Sequence, residues 1–173
     1  IYLPPVADSL GLIKFSGIVY GKFKELYAEG DLNTDGGKIS TDVVIKASDN
    51  KYEKFSIIGA TTAKNFDLTK LFGKESGLGK TAFELEVDIQ KVEAEKFDME
   101  LAGKIDTIYF KDYLYQGVTL NGKLNDRSYT GNFSLKDDNI TCEFEGNVNM
   151  KHRDMPVMNF TASIKDANID KLN

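Results

Sequence analysis

Strict two-residue alternation runs through this chain. In FELEVDIQ, residues 83–90, Phe83, Leu85, Val87 and Ile89 fall on one side, and Glu84, Glu86, Asp88 and Gln90 on the other. Extended backbone puts residues i, i+2 and i+4 on the same face, so this stretch is a strand with one dry and one wet face. The rhythm recurs at Ile13/Phe15/Val19/Phe23, Ile39/Val43/Ile45, Phe55/Ile57 and Phe97/Met99/Leu101/Ile105. It continues at Val118/Leu120/Leu124, Tyr129/Phe133/Leu135, Ile140/Cys142/Phe144/Val148/Met150 and Phe160/Ala162/Ile164. Turn-forming clusters separate the runs: Asp35-Gly36-Gly37, Ser48-Asp49-Asn50 and Asp137-Asp138-Asn139. Strands joined by short turns pair antiparallel. Many of the runs are about ten residues long, roughly 33 Å at the strand rise, which exceeds the usual strand.

A helical stretch interrupts the pattern. NFDLTKLFG, residues 65–73, offers Asn65 as an N-cap, Leu68, Leu71 and Phe72 as an apolar side, and Gly73 as a stop. The last residues, DANIDKLN, resemble the start of the same element, with Asn168 and Asp170 matching Asn65 and Asp67. A shift of about 101 positions lays Gly21-Lys22 on Gly122-Lys123, Gly30 on Gly131 and Ile39-Ser40 on Ile140-Thr141. A shift of about 68 lays SLGLIKF, residues 9–15, on GLGKTAF, residues 77–83. The expected unit is a Leu-Gly lead-in, several long strands and a short capped helix. Two such units, 1–73 and 74–173, are expected to build one continuous sheet, the second ending at the start of the next short helix.

Composition excludes several functions. The 173 residues carry a net charge of −5 and a pI near 5.0, and no Lys/Arg stripe is present, so phosphate backbones have no counterion-releasing surface to bind. No nucleic-acid partner is expected. The apolar runs are far too short to span a bilayer as a helix. The first residues lack a basic start and an apolar core, and the chain begins at Ile1. It is therefore expected to be a segment of a longer or processed protein. One Cys and no Trp leave no disulfide framework and no cysteine metal site.

Three motifs invite chemistry. HRDMPVMN, residues 152–159, has the spacing of a kinase catalytic loop. No Gly-rich loop precedes it, too little chain follows for the metal-binding Asp-Phe-Gly, and it aligns with the polar stretch ASDNKYEKF of the first unit. His152, Arg153 and Asp154 are expected in a solvated loop, with Pro156 entering the next strand. GKESGLGKT, residues 73–81, echoes a P-loop, but Gly73 is one place early and the order is helix, loop, strand instead of strand, loop, helix. DLNTDGGKISTD, residues 31–42, puts Asp31, Asn33, Asp35, Gly36 and Asp42 at positions 1, 3, 5, 6 and 12 of a calcium loop. Its last position lacks the bidentate Glu and its flanks are strands, so a hairpin turn accounts for it. Cys142 alternates in phase with Ile140 and Phe144 and reads as a small buried hydrophobe. Tyr109, Tyr113 and Tyr115 form a turn-flanking aromatic cluster or a ligand platform.

The stretches FSGIVYGKFKELYAEGDLNTDGGKIS, KNFDLTKLFGKESGLGKTAFELEVDI and LAGKIDTIYFKDYLYQGVTLNGKLNDRSYTGNFSLKDDNITCEFEGNVN resemble TamB-like proteins of the AsmA superfamily, especially long versions from Bacteroidetes. The resemblance runs from about Gly11 to Leu172 and rests on the Asn-x-Asp-Leu-x-x-Leu helix, the Gly-Lys-Ile-Asp strand and the Leu-Asn-Gly-Lys-Leu strand. It implies a long, curved, taco-like β-sheet with a lipid-sized apolar groove, anchored in the inner membrane of a Gram-negative bacterium and crossing the periplasm. It implies phospholipid transfer to the outer membrane, assistance to outer-membrane protein assembly, and no catalytic residues. Expected partners are acyl chains, flanking repeats of the same full-length chain and an outer-membrane assembly barrel.

A sheet with one apolar face must cover that face. It either packs on itself as a sandwich or holds ligand. The expectation is a mainly β, long antiparallel, curved and half-open sheet of repeated units with one short helix near 65–73. Leu85, Val87, Leu101, Leu120, Phe133 and Phe144 are the candidate lipid-groove lining; no catalytic residue, metal site or cofactor is expected. The rival is a secreted β-sandwich that binds glycan or protein. An enzyme comes third, for want of a convergent polar set. Replacing His152 and Asp154 together with alanine should change unfolding free energy by only a few tenths of a kcal/mol, as for surface positions without special partners. Denaturant unfolding checks this; loss of cooperative folding, or ATP turnover by the parent chain, contradicts it.

Overall fold

The computed structural model describes residues 10–47, 54–93, 96–125, 128–149 and 157–172. Ten strands form one antiparallel sheet in sequence order. They are β1 (Lys14–Lys22), β2 (Glu25–Thr34), β3 (Gly37–Ala47), β4 (Phe55–Asp67), β5 (Leu78–Glu93), β6 (Lys96–Phe110), β7 (Tyr113–Asn125), β8 (Ser128–Asp137), β9 (Ile140–Asn149) and β10 (Val157–Lys165). A four-residue helix, α1 (Thr69–Phe72), and a 3-10 turn (Lys74–Ser76) connect β4 to β5, and a second 3-10 turn (Ile169–Lys171) follows β10. Every strand pairs with its sequence neighbours, and β1 and β10 do not pair with each other. The sheet is therefore open, neither a sandwich nor a closed barrel.

The register aligns like with like across all ten strands. Val19, Ala28, Val43, Gly59, Val87, Leu101, Gly122, Gly131, Gly146 and Phe160 are consecutive partners in one row. The adjacent row of the same face is Gly17, Gly30, Thr41, Thr61, Leu85, Gly103, Leu120, Phe133, Phe144 and Ala162. Neither row holds a charge. The opposite face, one residue away along each strand, carries Ile18, Glu29, Asp42, Ala60, Glu86, Ala102, Asn121, Asn132, Glu145 and Thr161. A slip of one residue in any strand would swap these faces, so the alternation itself enforces the register.

Burial follows the expected phase but is shallow. Val87 is buried and Phe83, Leu85 and Ile89 are half-buried, whereas Glu84 and Glu86 are exposed; Asp88 is half-buried. Ile140, Cys142 and Phe144 are half-buried against exposed Glu143 and Glu145, and Thr141 is half-buried. The difference is modest because the contacts between elements join neighbouring strands and the short connector, with no second layer on the apolar face among the described residues. Phe66 alone among the described large side chains is fully enclosed, at 1% exposure.

Phe66 also explains where the helix begins. Asn65, expected as its N-cap, lies inside β4, because β4 stays paired with β5 through Phe66↔Thr81 and Asp67↔Lys80 after a register shift. Pairing and the burial of Phe66 against the turn glycines Gly36 and Gly37 outweigh local helix propensity. The cap function passes to Asp67, whose Oδ1 accepts the Thr69 N–H at 2.9 Å and its hydroxyl at 2.6 Å. These bonds, the Thr69 hydroxyl foremost, hold the Asp67 carboxyl below its ordinary range. Gly73, the expected stop, caps α1 with φ 78°.

The same connector contact occurs twice. The Asp67 N–H donates to the Gly36 carbonyl in the β2–β3 turn at 2.7 Å, and the Asn168 N–H donates to the Asn139 carbonyl in the β8–β9 turn at 2.7 Å. Asp67 thus corresponds to Asn168, where the sequence alignment paired Asn65 with Asn168.

Seven glycines sit in phase with the apolar face in the two rows above, and two show why. At Gly59, φ is 150° and a Cβ would lie 2.1 Å from the Asp42 carbonyl oxygen. At Gly131, φ is 159° and a Cβ would lie 2.4 Å from the Gly122 Cα. Aromatic rings cover the gaps: a Cβ at Gly122 would meet the Tyr129 ring at 2.5 Å, and one at Gly17 would meet the Phe15 ring at 2.9 Å. Glycines of this kind let a sheet bend and let neighbouring rings lie flat on it. Gly59→Val should destabilise the protein by at least about 1–3 kcal/mol, from backbone strain alone, before the clash is added. Thr61→Val, in the next row of the same strand, should cost far less. Paired urea melts test the contrast; equal costs would refute the backbone role of Gly59.

Candidate functional site: the apolar face from β5 to β9

The register brings the six sequence-selected residues together. Leu85, Leu120, Phe133 and Phe144 lie in one row, with Gly103 between Leu85 and Leu120. Val87 and Leu101 are direct partners in the neighbouring row. Five strands separated by about 4.8 Å make this strip about 19 Å wide. Half of a bilayer hydrocarbon core is about 15 Å, so one acyl chain lying across the strands matches the strip in length. Val87 is 9% exposed and the other five are half-buried, so a ligand lying on the face can reach them.

The β8–β10 end of the strip is aromatic. Phe133 and Phe144 stack with centroids 5.1 Å apart and planes 13° apart. Phe144 meets Phe160 at 5.2 Å, and Tyr129 lies 6.5 Å from Phe144. Tyr129 donates its hydroxyl to the Asn132 carbonyl at 3.0 Å, and burial raises its pKa. Phe160, 48% exposed, completes this ladder but was not among the selected residues. Its signal in the sequence is the alternation Phe160/Ala162/Ile164, and it sits opposite Gly146, one of three glycines aligned across β7, β8 and β9. Those glycines let the rings lie down on the sheet: Tyr129 covers Gly122 and Gly131, and Phe160 covers Gly146.

Among the described residues, charge enters this face at its margins, with Asp137 ending β8 in phase with Phe133 and Leu135 and Lys91 near the end of β5. Lys91 shares the phase of Val87 and Ile89, is 8% exposed, and places its ammonium 5.8 Å from the Phe55 ring centroid. The polar face carries the ion pairs Lys38–Asp31, at 2.7 Å, and Lys123–Glu100.

The structure separates the other motifs from any shared site. Asp31 and Asn33 lie on β2, Asp35 in the turn and Asp42 on β3. Extended backbone spreads Asp31 and Asp35 about 13 Å apart, far beyond the span of one calcium ion's ligands. Asp31 instead accepts from Lys38 and from the Ser40 hydroxyl, both at 2.7 Å, and these bonds lower its pKa. Gly79, Lys80 and Thr81 are strand residues; Gly79 accepts the Leu68 N–H at 3.0 Å and Thr81 donates its hydroxyl to the Thr107 carbonyl at 3.0 Å. They form no phosphate cradle. Ser48-Asp49-Asn50 and His152, Arg153 and Asp154 lie outside the described residues, while Asn159 is exposed in β10. Cys142 is half-buried between Leu135 and Ile164 in the register.

Tyr113 and Tyr115 meet edge-on at 4.6 Å, and the Tyr113 hydroxyl donates to Asp137 at 2.6 Å while accepting from the Asn139 amide at 2.8 Å. Burial opposes ionisation of Asp137, but the bonds from Tyr113, the Asn139 N–H and the Gln116 N–H prevail and lower its pKa. This network ties β7 to the β8–β9 turn and uses the hydroxyl a ligand platform would need. Tyr109, 44% exposed, stands apart over Gly79. Among the described residues, no three His, Cys, Asp or Glu side chains gather as metal ligands.

No family model matches this chain, and no curated protein or solved structure matches it significantly.

Proposed function

We propose that this chain is a lipid-handling β segment whose apolar face receives acyl chains, within a periplasm-spanning, inner-membrane-anchored lipid-transfer or outer-membrane assembly protein. The observation that carries this reading is the pair of charge-free rows holding Leu85, Leu120, Phe133, Phe144, Val87 and Leu101 on a face that no other described element covers. A buried CH₂ contributes about 0.8 kcal/mol before ordering costs, so the strip can bind a long acyl chain without a head-group pocket. The rival sandwich finds no support in a single open sheet. Flanking repeats of the full-length chain and an outer-membrane assembly barrel belong to the same proposal.

A photoreactive residue at position 120 should capture lipid through its acyl chain, and one at the neighbouring polar-face position 119 should not. Leu120→Arg should abolish acyl contact at position 133 or 144. An arginine on an uncovered face keeps much of its hydration, so the melting temperature should fall by only a few degrees. Equal capture from 119 and 120, or none from either, overturns the proposal.

A further inference from the structure

The charged face of the sheet carries an apolar stripe of its own. Tyr20, Tyr27, Val44 and Ile58 are consecutive partners in one row across β1 to β4, in the phase of Glu29 and Asp42 and opposite to that of Val43 and Gly59. Tyr20 and Tyr27 stack with centroids 5.1 Å apart and planes 8° apart. Tyr27 is 37% exposed, Ile58 is 41% exposed and Val44 is half-buried. These three lie on β2, β3 and β4, each paired on both sides, so their exposure does not come from a sheet edge. No other described element covers them.

Carboxylates bound this stripe along one flank and at one end. One row away stand Glu29, Asp42 and Glu86, all exposed and without an ion pair among the described residues. Beyond Ile58 the stripe's own row continues as Asp88 and Glu100. Glu29 faces Asp42, and Asp88 faces Glu100, as direct cross-strand partners. Like charges placed directly opposite destabilise a sheet. Lys123 offsets Glu100; the Glu29–Asp42 pair keeps its repulsion. A depression of about 520 Å³ adjoins Ile58, rimmed by Asp42, Glu86, Asp88 and Glu100 and floored by Ala60 and Ala102. On the other flank Glu25 is engaged by Lys46 at 3.7 Å and by the Tyr27 hydroxyl at 2.9 Å, so the acidic excess is one-sided.

We propose that this face docks a basic amphipathic helix of a partner protein, laid across the strands. Strands stand about 4.8 Å apart, so Tyr27, Val44 and Ile58 span about 10 Å. A helix rises about 1.5 Å per residue, so apolar side chains at i, i+4 and i+7 cover the same length. A Lys or Arg at i+11 then lies about 16.5 Å from the first anchor, over the depression between β5 and β6. Lys or Arg along one flank of the helix meets Glu29, Asp42 and Glu86 and bridges the like-charge pair. The same carboxylates repel an anionic membrane surface. This face is the reverse of the strip proposed to receive acyl chains, so the inference does not rest on lipid binding.

The probe is a synthetic, fluorophore-labelled helical peptide with Leu at i, i+4 and i+7, Arg at i+11 and along one flank, and Ala elsewhere. Fluorescence anisotropy with the intact chain should show saturable binding that weakens as salt rises. Ile58→Ser and Asp42→Lys/Glu86→Lys should each weaken it at least about tenfold. The melting temperature of Asp42→Lys/Glu86→Lys should not fall, because the change removes a like-charge pair. Glu143→Lys/Glu145→Lys, on β9 of the same face, should leave binding unchanged. A peptide whose flank Arg residues are replaced by Glu should prefer Asp42→Lys/Glu86→Lys to the parent chain, which separates a charge contact from a folding defect. No saturable binding, equal binding by a peptide with the same composition and scrambled Leu spacing, an equal loss from the β9 pair, or no reversal of preference overturns the proposal. Stripe-dependent binding to vesicles of anionic phospholipid in place of the peptide overturns it too. Leu120→Arg, on the other face, should leave peptide binding intact, so failure of docking and failure of acyl capture are separate results.

Discussion

Lateral pairing between neighbouring strands carries this structure. A sheet without a second layer cannot bury its apolar side chains against another element, so its stability comes from the backbone ladder and from cross-strand side-chain contacts. Each such contact contributes roughly 0.2–1 kcal/mol. They must therefore be numerous and in register, and the rows across the ten strands provide that. Phe66, fully enclosed at the connector, is the exception that pins one end of the sheet. The glycines of the apolar face follow from the same constraint. Where strands approach closely and bend, a Cβ at Gly59 or Gly131 would strike the adjacent backbone.

Alternation made most of the architecture legible. Period-two patterning over nine runs specifies strands, their faces and their antiparallel joining, because strand geometry turns sequence spacing directly into side-chain direction. The six candidate lining residues came from that phase alone, and the register places them in two adjoining rows. The start of α1 was less legible. Asn65 has good capping chemistry, yet pairing with β5 holds the chain extended through Asp67. That partner strand begins eleven residues further on, beyond any local signal. Phe160 and the three aligned glycines of β7–β9 were also missed as part of the strip. Alternation of apolar side chains passes over glycine, and Gly122 and Gly131 enter the sequence reading only as repeat markers, although each of these glycines occupies an apolar-phase position within a strand.

Sorting of side chains between the two faces separates packing from chemistry. Carboxylates such as Glu29, Asp42, Glu86 and Glu145 share one row of the polar face, spread across strands and open to water. The apolar side has stacked rings and aliphatic groups over glycine. The depressed pKa values of Asp67 and Asp137 belong to turn and connector bonds at one end of the sheet, where they secure geometry away from that strip.

The strict neighbour-to-neighbour strand order has a kinetic consequence. Each hairpin closes a short loop, so no step requires two distant parts of the chain to find each other, and loop-closure entropy stays small throughout. A sheet built this way can nucleate at one hairpin and add strands outward in both directions, as repeat proteins do. β5 and β6, at 16 and 15 residues, are its longest strands and adjoin near the middle of the order. Folding is then expected to spread from that hairpin, and thermal fluctuations to peel the sheet inward from β1 and β10 one strand at a time.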